Sequence, residues 1–342
     1  MKVVIRTDAY PQLGTGHLMR CLAFGQGIKD IGGNVVFVTY CESEGLIRRL
    51  KKEGFDVHQL GEPGTLNESL AIFEAEDPDW VVLDGYHFDG DYQMAVKDGG
   101  YRLLYIDDYA HLEHYYADII LNQNYGAEKF SYNAEPHTRL LLGTDYVLLR
   151  QEFLEYADFI REIPDVASKL LITMGGSDPE NYTLKVLKAV NLIESQLDVK
   201  VIIGANNLHY KSIKQEAERG RHNIQLLIAV ENMPALMAWA DIVISTGGTT
   251  TWELAFMRLP ALLCIVADNQ ESGVNALANY GFPSAGWIRN TGENEIAEIL
   301  RRLLHGKSLR VAIAKKGRRM VDGKGTKRVV EKMRRKPLRV LF

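Results

Sequence analysis

Residues 2–20 read KVVIRTDAYPQLGTGHLMR. An apolar, β-branched run at 2–7 leads through a turn holding Gly14 and Gly16 into a helical period that opens at His17. β-Branched side chains suit a pleated, buried strand. A glycine-rich turn between strand and helix lets a ligand come close to the backbone, and a helix N-terminus favours negative charge. The helical period covers 17–31, and a second strand-like run follows at 34–40. Strand, helix, strand is a βαβ unit, and its two strands lie parallel.

The same alternation continues outward. A helix is predicted over 45–53, closed by Gly54, since glycine commonly follows a helix end. A strand at 56–60, a helix at 66–76 and strands at 80–83, 101–106 and 118–121 follow. Residues 139–167 read as a join, with a short strand, an amphipathic stretch and Pro164. A second series then starts with a strand at 169–173 and a helix at 179–192. Further strands are expected at 199–203, 224–227, 241–245 and 261–266. The prediction is an α/β protein with two Rossmann-like, doubly wound parallel-sheet domains facing a cleft, 1–150 and 151–342.

The length of 342 residues suits two domains. An apolar share of 46% with 25% charged residues excludes a disordered or low-complexity chain. A net charge of −4 argues against general affinity for nucleic acid. The apolar runs are strand-sized, so no membrane insertion is expected. Residues 1–6 enter a strand without signal-peptide anatomy, which predicts a cytoplasmic protein. Cys21, Cys41 and Cys264 are far apart and form no CxxC pair, so they read as reduced thiols. Charge is unevenly spread: from His305 onward there are 14 Lys/Arg against 2 Asp/Glu, leaving −16 on residues 1–304. This basic helical tail is placed with the second domain, as a solvated face packing its apolar side on an acidic body.

Five motifs lie at the expected strand ends. In Gly14-Thr15-Gly16-His17-Leu18-Met19-Arg20, Met19 stands where a GxGxxG dinucleotide fingerprint needs glycine, so a nicotinamide cofactor is not indicated. The positive end of the helix dipole disfavours an imidazolium at His17 and suits it to accept a proton. Arg20 shares its helix face. Leu83-Asp84-Gly85-Tyr86 puts a carboxylate at a strand's carboxyl end, where open α/β sheets bind ligands. Ile106-Asp107-Asp108 pairs two carboxylates, either of which is a candidate to orient His17. Met174-Gly175-Gly176-Ser177-Asp178-Pro179 enters a helix with Ser177 or Asp178 as cap. In Ser245-Thr246-Gly247-Gly248-Thr249-Thr250, a glycine turn feeds a hydroxyl-rich helix start suited to phosphate, with Glu253 one turn on to accept from ribose hydroxyls. Asn269 and Gln270 follow the strand at 261–266. No metal-ligand or Walker pattern is present, and no metal or cofactor is expected.

The order GTGHxxR, LDxY, IDD, DIILNxN, MGGSDPxN, a Gly-Gly-Thr segment ending in Glu, and DNQES resembles one family. It is similar to the UDP-2,4-diacetamido-2,4,6-trideoxy-β-L-altropyranose hydrolases (PseG) of pseudaminic acid biosynthesis, with relatives in spore coat polysaccharide clusters. More distantly, the second half resembles MurG-type glycosyltransferases. The resemblance implies a GT-B fold and a UDP-sugar substrate. His17 falls on the family's general base. The implied substrate-binding residues are Gly14, Gly16, Arg20, Tyr86, Asp107, Asn122, Gly175, Gly176, Asp178, Asn269 and Gln270. Those implied for UDP are Gly247, Gly248, Thr249, Thr250 and Glu253. Some members carry Ser-Ser where Gly247-Gly248 stand; Gly-Gly is nearer to MurG. The expected activity is metal-independent hydrolysis with inversion at C1 by a monomer, the alternative being an inverting glycosyltransferase with a UDP-sugar donor.

Overall fold

The computed structural model describes residues 1–204, 207–228, 230 and 232–334. The chain forms two compact units: Met1–Gln151 together with the segment from Gly323, and Glu152–Asp322.

The first unit runs β1 (Lys2–Thr7), α1 (Gly16–Asp30), β2 (Asn34–Thr39), α2 (Glu44–Lys52), β3 (Asp56–Gln59), α3 (Leu66–Glu76) and β4 (Trp80–Asp84). It continues through α4 (Gly90–Asp98), β5 (Arg102–Ile106), β6 (Ile119–Asn122) and β7 (Arg139–Leu142). Helix α4 is absent from the expected elements, although Asp89 caps it by accepting from the Tyr92 N–H at 2.9 Å. The strands form one sheet in the order β3-β2-β1-β4-β5-β6-β7, all parallel. Alternate residues of β1 serve opposite faces, as a two-residue period requires. Val3 and Ile5 pack with Phe24, Val82 and Leu104. Val4 packs with Val36, Phe73, Val81 and Tyr105. The strand order reverses between β1 and β4, and a ligand-binding crevice opens beyond the carboxyl ends at such a point. The register sets Thr7 beside Asp84 and Asp84 beside Ile106, so the ends of β1, β4 and β5 are level.

Short helix α5 (Gln151–Leu154) lies at the unit boundary. The second unit follows with β8 (Lys169–Thr173), α6 (Tyr182–Asn191), β9 (Asp198–Ile203), α7 (Tyr210–Arg219), β10 (Asn223–Ile228) and α8 (Met233–Trp239). Then come β11 (Ile242–Thr246), α9 (Thr250–Phe256), β12 (Ala261–Ile265), α10 (Asp268–Asn279), β13 (Ser284–Trp287), α11 (Glu293–His305) and α12 (Lys307–Met320). The sheet order β10-β9-β8-β11-β12-β13 repeats the Rossmann pattern, with its reversal between β8 and β11.

The last described helix, α13 (Gly325–Arg334), corrects the expected boundary: it belongs to the first unit, not to the second. Its apolar face explains why. Val329, Val330 and Met333 are buried in the same core as Phe24 and Ile28 of α1. Its last carbonyls are taken by guanidinium groups of the first unit, Arg139 donating to Lys332 O and Arg102 to Met333 O, both at 2.9 Å. Cations at a helix C-terminus complement its dipole. The tail thus divides: α12 stays with the second unit as expected, while α13 packs its apolar side on the first, and residues 335–342 lie outside the described residues. The fit is tight at Gly325, where a Cβ would stand 2.2 Å from the Val147 carbonyl oxygen. Gly325→Ala is therefore expected to destabilise the first unit by about 1–3 kcal/mol through overpacking. Urea unfolding checks this, and an unchanged midpoint would contradict the docking.

Candidate active site

His17, the second residue of α1, points its Nδ1 at Oδ1 of Asp84, the last residue of β4, at 2.6 Å. Both side chains are buried, Asp84 completely. One helical turn on, Arg20 donates through Nε and Nη2 to the two oxygens of Asp84 at 2.7 and 2.6 Å. Its Nη1 and Nη2 also reach the carboxylate of Asp108 at 2.8 and 3.1 Å. The Cys21 thiol donates to Asp84 Oδ2 at 3.3 Å. Asp108 further accepts from the Tyr86 hydroxyl at 2.7 Å and Asn124 Nδ2 at 2.8 Å. One guanidinium thus sits between two buried carboxylates.

Burial by itself would raise the pKa of both carboxyls, but the Arg20 charge, aided by His17, outweighs it and holds both below the ordinary range. Burial and the Asp108 carboxylate push the Tyr86 hydroxyl well up, so it stays a donor. An ionised Asp84 can only accept, so His17 Nδ1 carries a proton; in the neutral ring the lone pair is then on Nε2. Arg20 Nη2 lies 3.1 Å from Nδ1 because both donate to the same Oδ1.

These depressed values fix the sign of an acid limb. A carboxyl whose folded pKa is lowered contributes stability above its unfolded pKa of about 3.9, and loses it as pH falls through the folded value. Thermal stability is expected to drop below about pH 4, with Asp108→Asn flattening that limb relative to the unsubstituted protein. Parallel curves for the two proteins across pH 2–5 would contradict the assignment.

Asp107 and Asn122 do not join this cluster. Asp107 accepts from the Ala110 N–H at 2.6 Å and the Tyr132 hydroxyl at 2.9 Å, and lies 3.0 Å from His111 Nδ1. Asn122 is fully buried, donates to the Tyr132 hydroxyl and accepts from the Asn124 N–H. Both hold loops. The group orienting His17 is Asp84, not Asp107 or Asp108. Asp8, to which the sequence assigned no role, is a buried hub just after β1. It accepts from the Tyr40 N–H at 2.6 Å, Gly64 N–H at 3.2 Å and Arg6 Nη2 at 3.0 Å, with His87 Nε2 at 2.8 Å. Gly14 lies in the turn that leads from Asp8 into α1, and Gly16 is the first residue of that helix.

In the second unit, the turns after β8, β11 and β12 gather at the carboxyl side of the sheet, with Thr173 in register with Ser245. Gly175 and Gly176 are exposed there. Asp178 turns inward: its two oxygens accept from the Tyr182 and Thr183 N–H groups at 2.8 and 2.9 Å. It therefore caps α6, which starts at Tyr182 and not at 179. Burial lifts the pKa of this carboxyl above its ordinary value. Gly247 is crowded: a Cβ would lie 2.0 Å from Val274 Cγ2 of α10, so only glycine lets that helix close on the turn. Gly248, Thr249 and Thr250 are half-buried beside it, and Glu253 is buried in α9. Gln270, in the first turn of α10, accepts from the Val266 N–H at 3.1 Å. Its neighbour Asn269 is half-buried.

Among solved structures, MurG of Acinetobacter baumannii superposes with a TM-score of 0.66 at 17% identity, over 97% of this chain and 99% of that one. The fold is GT-B. Residues 170–284, within the second unit, match the glycosyltransferase family 28 C-terminal domain. The spore coat polysaccharide biosynthesis protein SpsG of Bacillus subtilis is 23% identical over 96% of both chains. The UDP-2,4-diacetamido-2,4,6-trideoxy-β-L-altropyranose hydrolase of Campylobacter jejuni is 25% identical over 82% of this chain and 98% of its own. MJ1062 of Methanocaldococcus jannaschii is 25% identical over 77% of this chain, which spans about half of that protein (55%). No helix among the described residues is long and apolar enough to cross a membrane.

Proposed function

We propose that this chain is a nucleotide-sugar hydrolase. It releases UDP from UDP-2,4-diacetamido-2,4,6-trideoxy-β-L-altrose, or a close UDP-amino-sugar, in pseudaminic acid or surface polysaccharide biosynthesis. The observation that carries the proposal is His17, whose Nδ1 lies 2.6 Å from the buried Asp84 carboxylate. The named relatives of Campylobacter jejuni and Bacillus subtilis support the substrate class.

The chemistry follows from these positions. His17 Nε2 takes a proton from water as the water oxygen attacks C1 of the sugar, a role worth about 10²–10⁴-fold in rate. The C1–O bond breaks and its electron pair leaves with the β-phosphate of UDP. Direct attack on the face opposite the leaving group inverts C1. Asp84 keeps the imidazole in one tautomer and stabilises the imidazolium that forms, as the carboxylate does in a Ser-His-Asp triad. A diphosphate is a stable anion, so its departure calls for charge stabilisation more than for a proton. We assign that to backbone N–H groups of the glycine turns at 175–176 and 247–250, with Glu253 for the ribose. No step of this scheme draws on a metal.

Proton NMR on purified protein with this UDP-sugar, no acceptor and EDTA present tests the proposal. Free UDP and a first-formed sugar of inverted anomeric configuration are expected. The match of residues 170–284 to a glycosyltransferase domain, with Gly247-Gly248 nearer to MurG, favours a second reading: transfer to an acceptor hydroxyl deprotonated by His17. UDP release only when an acceptor is added would replace hydrolysis by transfer.

A further inference from the structure

A second histidine–carboxylate pair stands beside the first within the same unit. His111 Nδ1 lies 3.0 Å from Oδ1 of Asp107, whose other oxygen is held by the Ala110 N–H and the Tyr132 hydroxyl. Asp107 is fully buried, so its carboxylate fixes the proton of His111 on Nδ1. In the neutral ring His111 Nε2 is then an acceptor. It is shielded from solvent and makes no hydrogen bond to any described residue, and a buried acceptor without a partner costs about 1–3 kcal/mol. Two tyrosine rings pack against this imidazole. Tyr109, 37% exposed, stacks on His111 with centroids 4.7 Å apart and planes 27° apart. Tyr86 meets His111 edge-on at 5.9 Å and His17 edge-on at 4.7 Å. One tyrosine ring thus touches both the proposed base and the second imidazole.

We infer that His111 and Tyr109 form the sugar subsite, with Nε2 of His111 accepting a hydrogen bond from an N–H or O–H of the substrate's sugar ring and Tyr109 packing against its apolar C–H face. This rests on the UDP-sugar reading above and names residues that read the sugar within it. It also gives Asp107 its role. The carboxylate does not touch substrate; it positions His111, as second-sphere carboxylates do for other imidazoles.

The test is equilibrium binding of UDP and of UDP-2,4-diacetamido-2,4,6-trideoxy-altrose in a His17→Ala background, where turnover is slow. His111→Asn keeps a donor for Asp107 but removes the distal acceptor, and His111→Gln carries an amide oxygen farther out. The Asn variant is expected to bind the UDP-sugar about 10–100-fold more weakly, with UDP affinity unchanged. The Gln variant is expected to recover part of that loss. Equal UDP-sugar affinity in the parent and Asn proteins at matched thermal stability would overturn the inference. So would a parallel loss for UDP, which marks a structural role, or a parent that binds the UDP-sugar no better than UDP. Failure of the unsubstituted enzyme to release UDP would overturn hydrolysis alone, because these affinities are read without turnover.

Discussion

Replacing His17 by alanine is expected to slow UDP release by about 10²–10⁴-fold while leaving UDP affinity unchanged. The separation of effects follows from where the groups sit. His17 belongs to the first unit, at the N-terminus of α1. The residues proposed for UDP, Gly247–Thr250 and Glu253, belong to the second. The loss should appear in the rate constant, because the proton leaves water only in the transition state. Steady-state kinetics paired with calorimetric titration of UDP gives both numbers. A variant with full activity would remove His17 from the chemistry. One that lost UDP affinity along with rate would instead show the side chain shaping the nucleotide site.

Asp84→Asn is expected to damage both the fold and the reaction, and for different reasons. Asp84 accepts from His17, twice from Arg20 and once from Cys21. An amide offers one accepting atom, and its NH₂ must face a donor. Arg20 keeps Asp108 but loses its other anionic partner while fully buried. Breaking such a buried pair costs about 3–5 kcal/mol. That is a large part of the roughly 5–15 kcal/mol that stabilises an ordinary domain. The chemical effect is separate. Where the amide turns its NH₂ to His17, Nδ1 becomes the acceptor and the proton moves to Nε2, so the base is lost. The equivalent change in a Ser-His-Asp triad costs about 10⁴-fold in kcat. Denaturant unfolding measures the first effect, and activity per folded molecule the second. Full activity in the folded fraction would show that Asp84 does not hold the His17 tautomer.

The strands and the turn of the first βαβ unit were legible because their causes are local. A β-branched run, two glycines and a helical period need no distant partner to be recognised. Gly14, Gly175, Gly176, Gly247 and Gly248 lie in turns that follow strands, as expected from sequence, and Gly16 opens α1. Helix α4 was not read, although Asp89 offered a cap, because nine residues of mixed polarity carry a weak period. Asp178 is legible in the sequence as a cap candidate, and its two oxygens do accept from N–H groups at the start of α6. His111 carried a faint signal: it stands four residues after Asp107, a spacing that means something only once the loop is folded.

The sequence by itself determined the α/β class, the two series of strands, the glycine turns and His17 at a helix start. Each rests on interactions between residues a few positions apart. Only the tertiary structure decided which carboxylate orients His17. Asp84 lies 67 positions away and is brought near by the β1–β4 pairing, which no local pattern encodes. It likewise decided that α13 returns to the first unit. An amphipathic helix announces that it will bury a face, but the surface it buries is chosen by shape. Here that choice is the gap that Gly325 leaves at Val147 and the carbonyls that Arg102 and Arg139 reach. Complementarity between segments distant in the chain is a property of the folded surface and has no period to read.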